Sequence, residues 1–431
     1  MLRTAITVLV VVTGAVVTRA MTSGRPQGRE RVLTAAPTPS VERPNPTAST
    51  GPTVTPASPT TPSPTTAAPT STSSVSLAYA HAGVVVVGVG PDENHMGAAP
   101  SRLYLSTDSA HWRDVTPPQV VKDGQATFPF FETADFISPT TGWVTTFDLW
   151  NYAVGVYRTT DGGRSWEAEQ SLRHGIHAGS GVQLQFTTAT DGVEATFDPE
   201  SNAPVILNRT TDGGAHWAPV SPRPLPTASP FVFSDATVGF DGDDGFVPLF
   251  GIYRTFDGGR TWSPFAPTSL PSTLAGQNVA YSLPVFFGHE GVLAALFSAS
   301  PLQLGGAGTL ALFRTDDGGR SWRLATTRDV VRPHAPDGIT QDPAVALASP
   351  TTWWVTNPSP ATVAGAPTLS VTSDAGAHWT SATGDLPTAG GVSLLPSSAT
   401  DAWAVARTGG VDHLFVTHDG GQHWTVATPG R

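Results

Sequence analysis

Thr159-Thr160-Asp161-Gly162-Gly163-Arg164-Ser165-Trp166 is the stretch that decides how this 431-residue chain folds. Paired glycines supply the positive φ of a tight hairpin turn at no steric cost. The aspartate before them accepts hydrogen bonds from the turn's own amides, and the threonine two positions earlier adds a hydroxyl. The tryptophan then folds back as an apolar plug between neighbouring sheets. The stretch recurs as Thr210–Trp217, Thr255–Trp262, Thr315–Trp322, Thr372–Trp379 and Thr417–Trp424, with a worn copy at Ser106–Trp112. Seven aspartates (Asp108, Asp161, Asp212, Asp257, Asp317, Asp374, Asp419) and seven tryptophans (Trp112, Trp166, Trp217, Trp262, Trp322, Trp379, Trp424) result. The aspartates are on average about 52 residues apart, the length of a four-stranded blade.

A second element travels with each turn, 16–25 residues ahead of its aspartate. It reads as a turn followed by an aromatic or aliphatic strand: Thr141-Gly142-Trp143-Val144, Asp191-Gly192-Val193, Val238-Gly239-Phe240, Glu290-Gly291-Val292, Thr352-Trp353-Trp354-Val355 and Asp401-Ala402-Trp403-Ala404, with Ala82-Gly83-Val84 in the first unit. In the second unit this gives strands A to D at Phe130–Ile137, Gly142–Phe147, Val154–Thr159 and Trp166–Gln170. Two elements in constant order, seven times, predict an all-β chain: a seven-bladed β-propeller of four-stranded antiparallel blades over residues 76–431. Radial closure is how so many strands avoid exposed edges.

Ahead of it, Arg3, an apolar run from Ala5 to Val17 and Thr18-Arg19-Ala20 predict a signal peptide or an N-terminal membrane anchor over residues 1–20. Residues 21–75 read as a disordered linker rich in Pro, Thr and Ser, too poor in large apolar groups to offset its ordering entropy. Both features predict an extracellular or envelope-associated protein, with membrane contact only through the N-terminal segment. The 44 Gly and 40 Pro suit tight turns, and the absence of Cys excludes disulfides and thiolate metal sites. Of the net charge of −11, residues 1–75 carry six Arg and two Glu, or +4, which leaves −15 on the remainder. An acidic domain of this kind argues against nucleic acid as a partner.

The turn resembles the bacterial neuraminidase repeat, or Asp-box, of sialidases and sortilin-type receptors. Its pairing with the Gly-Trp strand is most similar to the photosystem II stability/assembly factor family of seven-bladed propellers. The resemblance covers about 355 residues and implies the fold; the box is scaffold, so it implies little about function. Because each residue of the box has a structural job, the seven aspartates read as turn residues and not as catalytic acids. His216, His378 and His423, standing before tryptophan, read the same way.

A sialidase would bring three arginines, a nucleophilic tyrosine and an acid around its channel. The Arg-Ile-Pro signature is missing, and Arg158, Arg209, Arg254 and Arg314 hold one periodic position. A glycosidase needs two suitably spaced carboxylates; loop acids such as Asp92, Glu93, Asp148, Asp198, Glu200 and Asp241 to Asp244 are the candidates. No Gly-x-Ser-x-Gly elbow or phosphate loop is present. No catalytic set, metal site or cofactor site is assigned.

The expected reading is a monomeric, non-catalytic platform for binding or assembly. Its partner is an envelope or secreted protein, with a glycan as the other ligand class and a carbohydrate-active hydrolase as the alternative function. In a four-stranded blade the A–B and C–D turns share one rim. The B–C and D–A loops (91–101, 147–153, 171–181, 241–248, 298–308, 326–343 and 357–366) are assigned to the other, where binding is expected. The candidate face combines Asp148, Trp150 and Tyr152 with His174 and His177, and with Arg328, Arg332 and His334 after blade five.

Overall fold

Seven small antiparallel sheets form a ring: the chain is a seven-bladed β-propeller with almost no helix. A computed structural model describes residues 73–430, apart from 82, 92–100, 109, 122–128, 149–152, 170–180, 198–205, 221–238, 249–251, 268–269, 301–305, 333–342, 358–367, 383, 385, 387–391 and 409–410. The expected N-terminal segment and most of the linker therefore lie outside the described residues. Among the described residues the one α-helix is the single turn Pro118–Val121.

Every blade is built from contiguous chain in the order A, B, C, D. Blade 2 runs Pro129–Phe136, Gly142–Asp148, Ala153–Thr159 and Glu167–Ala168, each strand antiparallel to the last. The register explains the Gly-Trp element. Gly142 lies opposite Phe136 on strand A and Thr159 on strand C. A Cβ on Gly142 would sit 2.4 Å from the Phe136 ring. Gly192 lies under Phe186 in the same way in blade 3.

Blade 1 opens at Ser73, three residues ahead of the expected boundary. Blade 5 departs from four strands. Its A position is split into Asn278–Tyr281 and Val285–Phe287, both paired with Glu290–Ser298, and its outer strand Arg323–Arg332 runs ten residues. Blade 4 corrects the sequence reading. Gly239–Asp241 is its strand A, and strand B is Asp244–Pro248, with Gly245 and Phe246 in the Gly-Trp place. The acidic run from Asp241 to Asp244 therefore forms the A–B turn, not a loop of the opposite rim.

A buried apolar cluster fills each junction. Leu77, Tyr79 and Leu103 of blade 1 pack on Phe131, Phe136 and Trp166 of blade 2. Trp143 of blade 2 lies flat on Phe186 of blade 3, ring centroids 3.5 Å apart and planes 2° from parallel. Similar clusters join blades 3 to 4, 4 to 5, 5 to 6 and 6 to 7. The ring closes where Val75, Ala78, Val85 and Val87 of blade 1 meet Leu395, Val405 and Leu414 of blade 7. Among the described residues no strand is exchanged between the two ends: blade 1 comes wholly from the start of the described chain and blade 7 wholly from its end.

Candidate functional site

The two rims of the ring are built differently. On one, the C–D connections span seven residues in six blades (160–166 in blade 2) and six in blade 1. In blade 2, Asp161 Oδ1 accepts the Thr159 hydroxyl at 2.9 Å and the Ser165 N–H at 2.9 Å, while Oδ2 accepts the Ser165 hydroxyl at 2.6 Å. Thr159 Oγ1 in turn accepts the Gly163 N–H at 2.7 Å. Blades 4 and 5 repeat this set through Thr261 and Ser321. Where histidine precedes the tryptophan, the imidazole replaces the hydroxyl. Nδ1 of His111, His216, His378 and His423 stands 2.6–2.7 Å from its aspartate.

These donors favour the ionised carboxylate. The side-chain and backbone donors of Ser165, His216 and Thr261 hold Asp161, Asp212 and Asp257 down at about 2. The His378 N–H and imidazole do the same for Asp374, also to about 2. Asp108 and Asp419 lie lower still, chiefly through the N–H groups of His111 and His423. The backbone is right for glycine at Gly162 and Gly163, with φ of +71° and +80°. In blade 6 Ala375 occupies the Gly162 place at φ +59°, the one non-glycine residue with positive φ among the described residues.

The two repeated elements are joined by one bond. The Gly162 N–H donates to the Thr140 carbonyl of the A–B turn at 2.8 Å, and its counterparts in blades 3 to 7 do likewise. Neighbouring blades are tied along the same rim. Arg158 of blade 2 donates to the Ala189 carbonyl of blade 3 at 3.1 Å. Arg209 of blade 3 pairs with Asp243 of blade 4 at 2.8 Å, and Arg254 of blade 4 donates to the Arg320 carbonyl of blade 5 at 3.1 Å. Trp143 Nε1 donates to the Gly213 carbonyl of blade 3 at 2.8 Å, and Trp354 Nε1 to the Ser398 carbonyl of blade 7 at 2.9 Å. Among the described residues Phe256 is the large aromatic left exposed, at 41%, yet the Arg254 and Arg320 guanidiniums lie 5.0 and 5.6 Å from its ring centroid.

A further set of stitches was not visible in the repeats. Tyr79, Asp135 and Gln185 occupy one equivalent place on strand A of blades 1, 2 and 3. Each reaches the backbone of the next blade's strand A. The Tyr79 oxygen accepts the Phe136 N–H at 2.9 Å, Asp135 Oδ2 accepts the Phe186 N–H, and Gln185 Oε1 accepts the Phe240 N–H at 2.6 Å. The same place holds Gly239, Val285, Ala346 and Leu395 in blades 4 to 7.

The opposite rim carries B–C connections of two to ten residues (409–410 in blade 7, 358–367 in blade 6). The sequence reading assigns the expected binding residues to the connections of this rim. Asp148 ends strand B of blade 2. Its side chain, that of Arg332, and all of Trp150, Tyr152, His174, His177 and His334 fall outside the described residues. Arg328 requires a correction. It is not in a loop but within the outer strand of blade 5, half-buried against blade 6. Its guanidinium lies 4.2 Å from the Trp379 ring centroid and donates to Ser370 Oγ at 3.1 Å. Among the described residues no group of three or more His, Asp or Glu is placed to hold a metal ion.

Fold and rims together define a seven-bladed propeller stitched along one rim. No protein-family model matches the chain, and no curated protein matches it. Among solved structures it is similar to YCF48 bound to D1 peptide, at 14% identity and a TM-score of 0.47, over 81% of this chain and 93% of that one. It is also similar to an Aleuria aurantia lectin mutant in complex with alpha-methyl-L-fucoside (13%, TM-score 0.38, 72% and 94% covered). A third is an oligogalacturonate lyase in complex with manganese (8%, TM-score 0.44, 78% and 86% covered).

Proposed function

We propose that this chain is an exported or surface-tethered propeller that serves as a non-catalytic platform for protein binding or assembly. The observation that carries this reading is the contrast between the rims. On the described rim the repeated polar side chains are engaged within the ring, though many are exposed to solvent. The seven aspartates bind their own turns, and Arg158, Arg209 and Arg254 tie blade to blade. The widest variation in length lies in the B–C and D–A connections, and variable loops on a rigid scaffold are where recognition concentrates. The partner in this reading is an envelope or secreted protein, engaged by Trp150, Tyr152 and their neighbours, since aromatic side chains supply much of the energy at interfaces.

The test is affinity capture with the full chain against the producing cell's envelope fraction, beside a glycan array. Saturable capture of one protein species, retained by Asp161→Ala and lost on substitution of the loop aromatics, supports the reading. Glycan binding accompanied by cleavage would replace it with a carbohydrate-active hydrolase using loop acids of the same rim.

A further inference from the structure

The stitches on strand A make a chemical demand that one of them meets in only one protonation state. Tyr79 both accepts the Phe136 N–H and stands 3.2 Å from the Phe136 carbonyl, to which its hydroxyl donates. Gln185 both accepts the Phe240 N–H and donates to the Phe240 carbonyl, at 2.9 Å. These two side chains carry a donor and an acceptor at once. Asp135, between them in the series, carries both only when protonated, since an ionised carboxylate is purely an acceptor. Its Oδ2 accepts the Phe186 N–H, and its Oδ1 lies 3.3 Å from the Tyr79 oxygen. Tyr79 thus faces two acceptors with one proton to give.

The geometry points to a proton-operated clasp at this node. With Asp135 neutral, its O–H goes to the Tyr79 oxygen and the Tyr79 hydroxyl to the Phe136 carbonyl. Blades 1, 2 and 3 are then held through one connected chain of bonds. When Asp135 loses its proton, the Tyr79 hydroxyl turns to the carboxylate. The bond to the Phe136 carbonyl is given up, and a charge is left inside the junction. The inner strands of blades 2 and 3 loosen, while blades 4 to 7, with apolar groups at this place, do not respond.

Asp135 is 6% exposed and has no cation partner among the described residues. Burial, only partly opposed by the Phe186 N–H and the Tyr79 hydroxyl, pushes its carboxyl up to about 7. The other titratable groups of the node stay neutral there. Burial, and next the Asp135 charge, raise Tyr79 further above its usual range, and burial lowers His81, beside Tyr79 on strand A, to about 4. Blade 3 adds Phe186 and the neutral amides Gln183 and Gln185; strand B of blade 2 adds Trp143. Glu194, the other fully buried carboxylate described, is held by Asn208 within blade 3. A folded-state value above the unfolded one gives stability that is complete in acid and is lost as pH rises through about 7.

The test is amide hydrogen exchange of the full chain at pH 6 and pH 8, corrected for intrinsic rates. Peptides covering 129–136 and 181–186 are read against 402–417 of blade 7. The wild type should lose about tenfold in relative protection, one pH unit past the midpoint being a factor of ten. Asp135→Asn should hold its protection at both pH values. An unchanged wild-type ratio, or an equal loss in Asp135→Asn, overturns the proposal. Should Asp135→Asn fail to fold, infrared spectra of the wild type decide. A protonated carboxyl band at pH 6 that vanishes by pH 8 and shifts in Tyr79→Phe supports the clasp; no such band at pH 6 overturns it.

Discussion

Between strands C and D the chain crosses in seven residues in six of the seven blades; between B and C it takes anything from two to ten. The first connection is fixed by its own chemistry. One aspartate, one threonine and a pair of positive-φ positions close the turn, and a single N–H ties it to the A–B turn beside it. An added residue would break all of these at once. The second connection meets no such demand, so its length and composition are free to follow a ligand. The lesson is that the uniformity of the C–D turns is internal satisfaction of polar groups. The bonds that close these turns are spent within the turns themselves.

That contrast can be broken most forcefully at a junction. Trp143→Ala removes a fully buried indole, its stack on Phe186 and its bond to the Gly213 carbonyl. It should cost about 4 kcal/mol in urea unfolding, in the range of large aromatic truncations. A loss below about 1 kcal/mol would mean that the blade 2–3 junction is not a packed core.

Acid is the next lever. The turn carboxyls Asp161, Asp212, Asp257 and Asp374 sit at about 2 because of their hydrogen bonds, below the unfolded value. A depressed value gives stability that is present above the unfolded one and lost as pH falls through the folded one. The urea midpoint should therefore decline steeply from about pH 4 toward pH 2. Asp161→Asn should start lower at pH 6 and decline less; parallel curves would show that the turn carboxylates do not hold this rim.

A smaller effect, of opposite sign, is expected at Ala375. Relief of its positive φ outweighs the extra freedom glycine gives the unfolded chain, so Ala375→Gly should gain up to about 1 kcal/mol. A loss would show that blade 6 relaxes differently from the Gly162 turn. The least stability change belongs to the loop rim. The double variant Trp150→Ala, Tyr152→Ala should melt within about two degrees of wild type and lose partner capture. A large fall in melting temperature would make these residues core, and unchanged capture would remove them from the binding face.

The fold was legible because its signal is chemical and repeated: the aspartate and tryptophan of the box return in every blade, behind a turn-and-strand element such as Gly142-Trp143, in one order. Legibility failed where a blade broke the spacing. In blade 4 the A–B turn is only Gly242-Asp243, where blade 2 uses five residues, 137–141. Gly239-Phe240 then mimicked the Gly-Trp pair one strand too early. Arg328 was misplaced because blade 5 extends its outer strand to Arg332, while the outer strands of the other blades have two or three residues. Tyr79, Asp135 and Gln185 escaped because they share a position but no residue type. Their kinship lies in what they bond to, which only the register shows.

The way the ring shuts has a consequence for how such a chain could arise. With no strand borrowed from the opposite end among the described residues, each blade is one stretch of chain that enters at the inner strand and leaves at the outer one. A single in-frame duplication of such a stretch would add a complete blade and leave the old closing seam to be remade between the same two terminal sheets. The seam between Val75, Val85 and Leu395, Val405 is apolar and makes no demand on a shared hydrogen-bond ladder. Growth or shrinkage of the ring by gene duplication therefore faces one repacking problem, at one place, and no problem of topology.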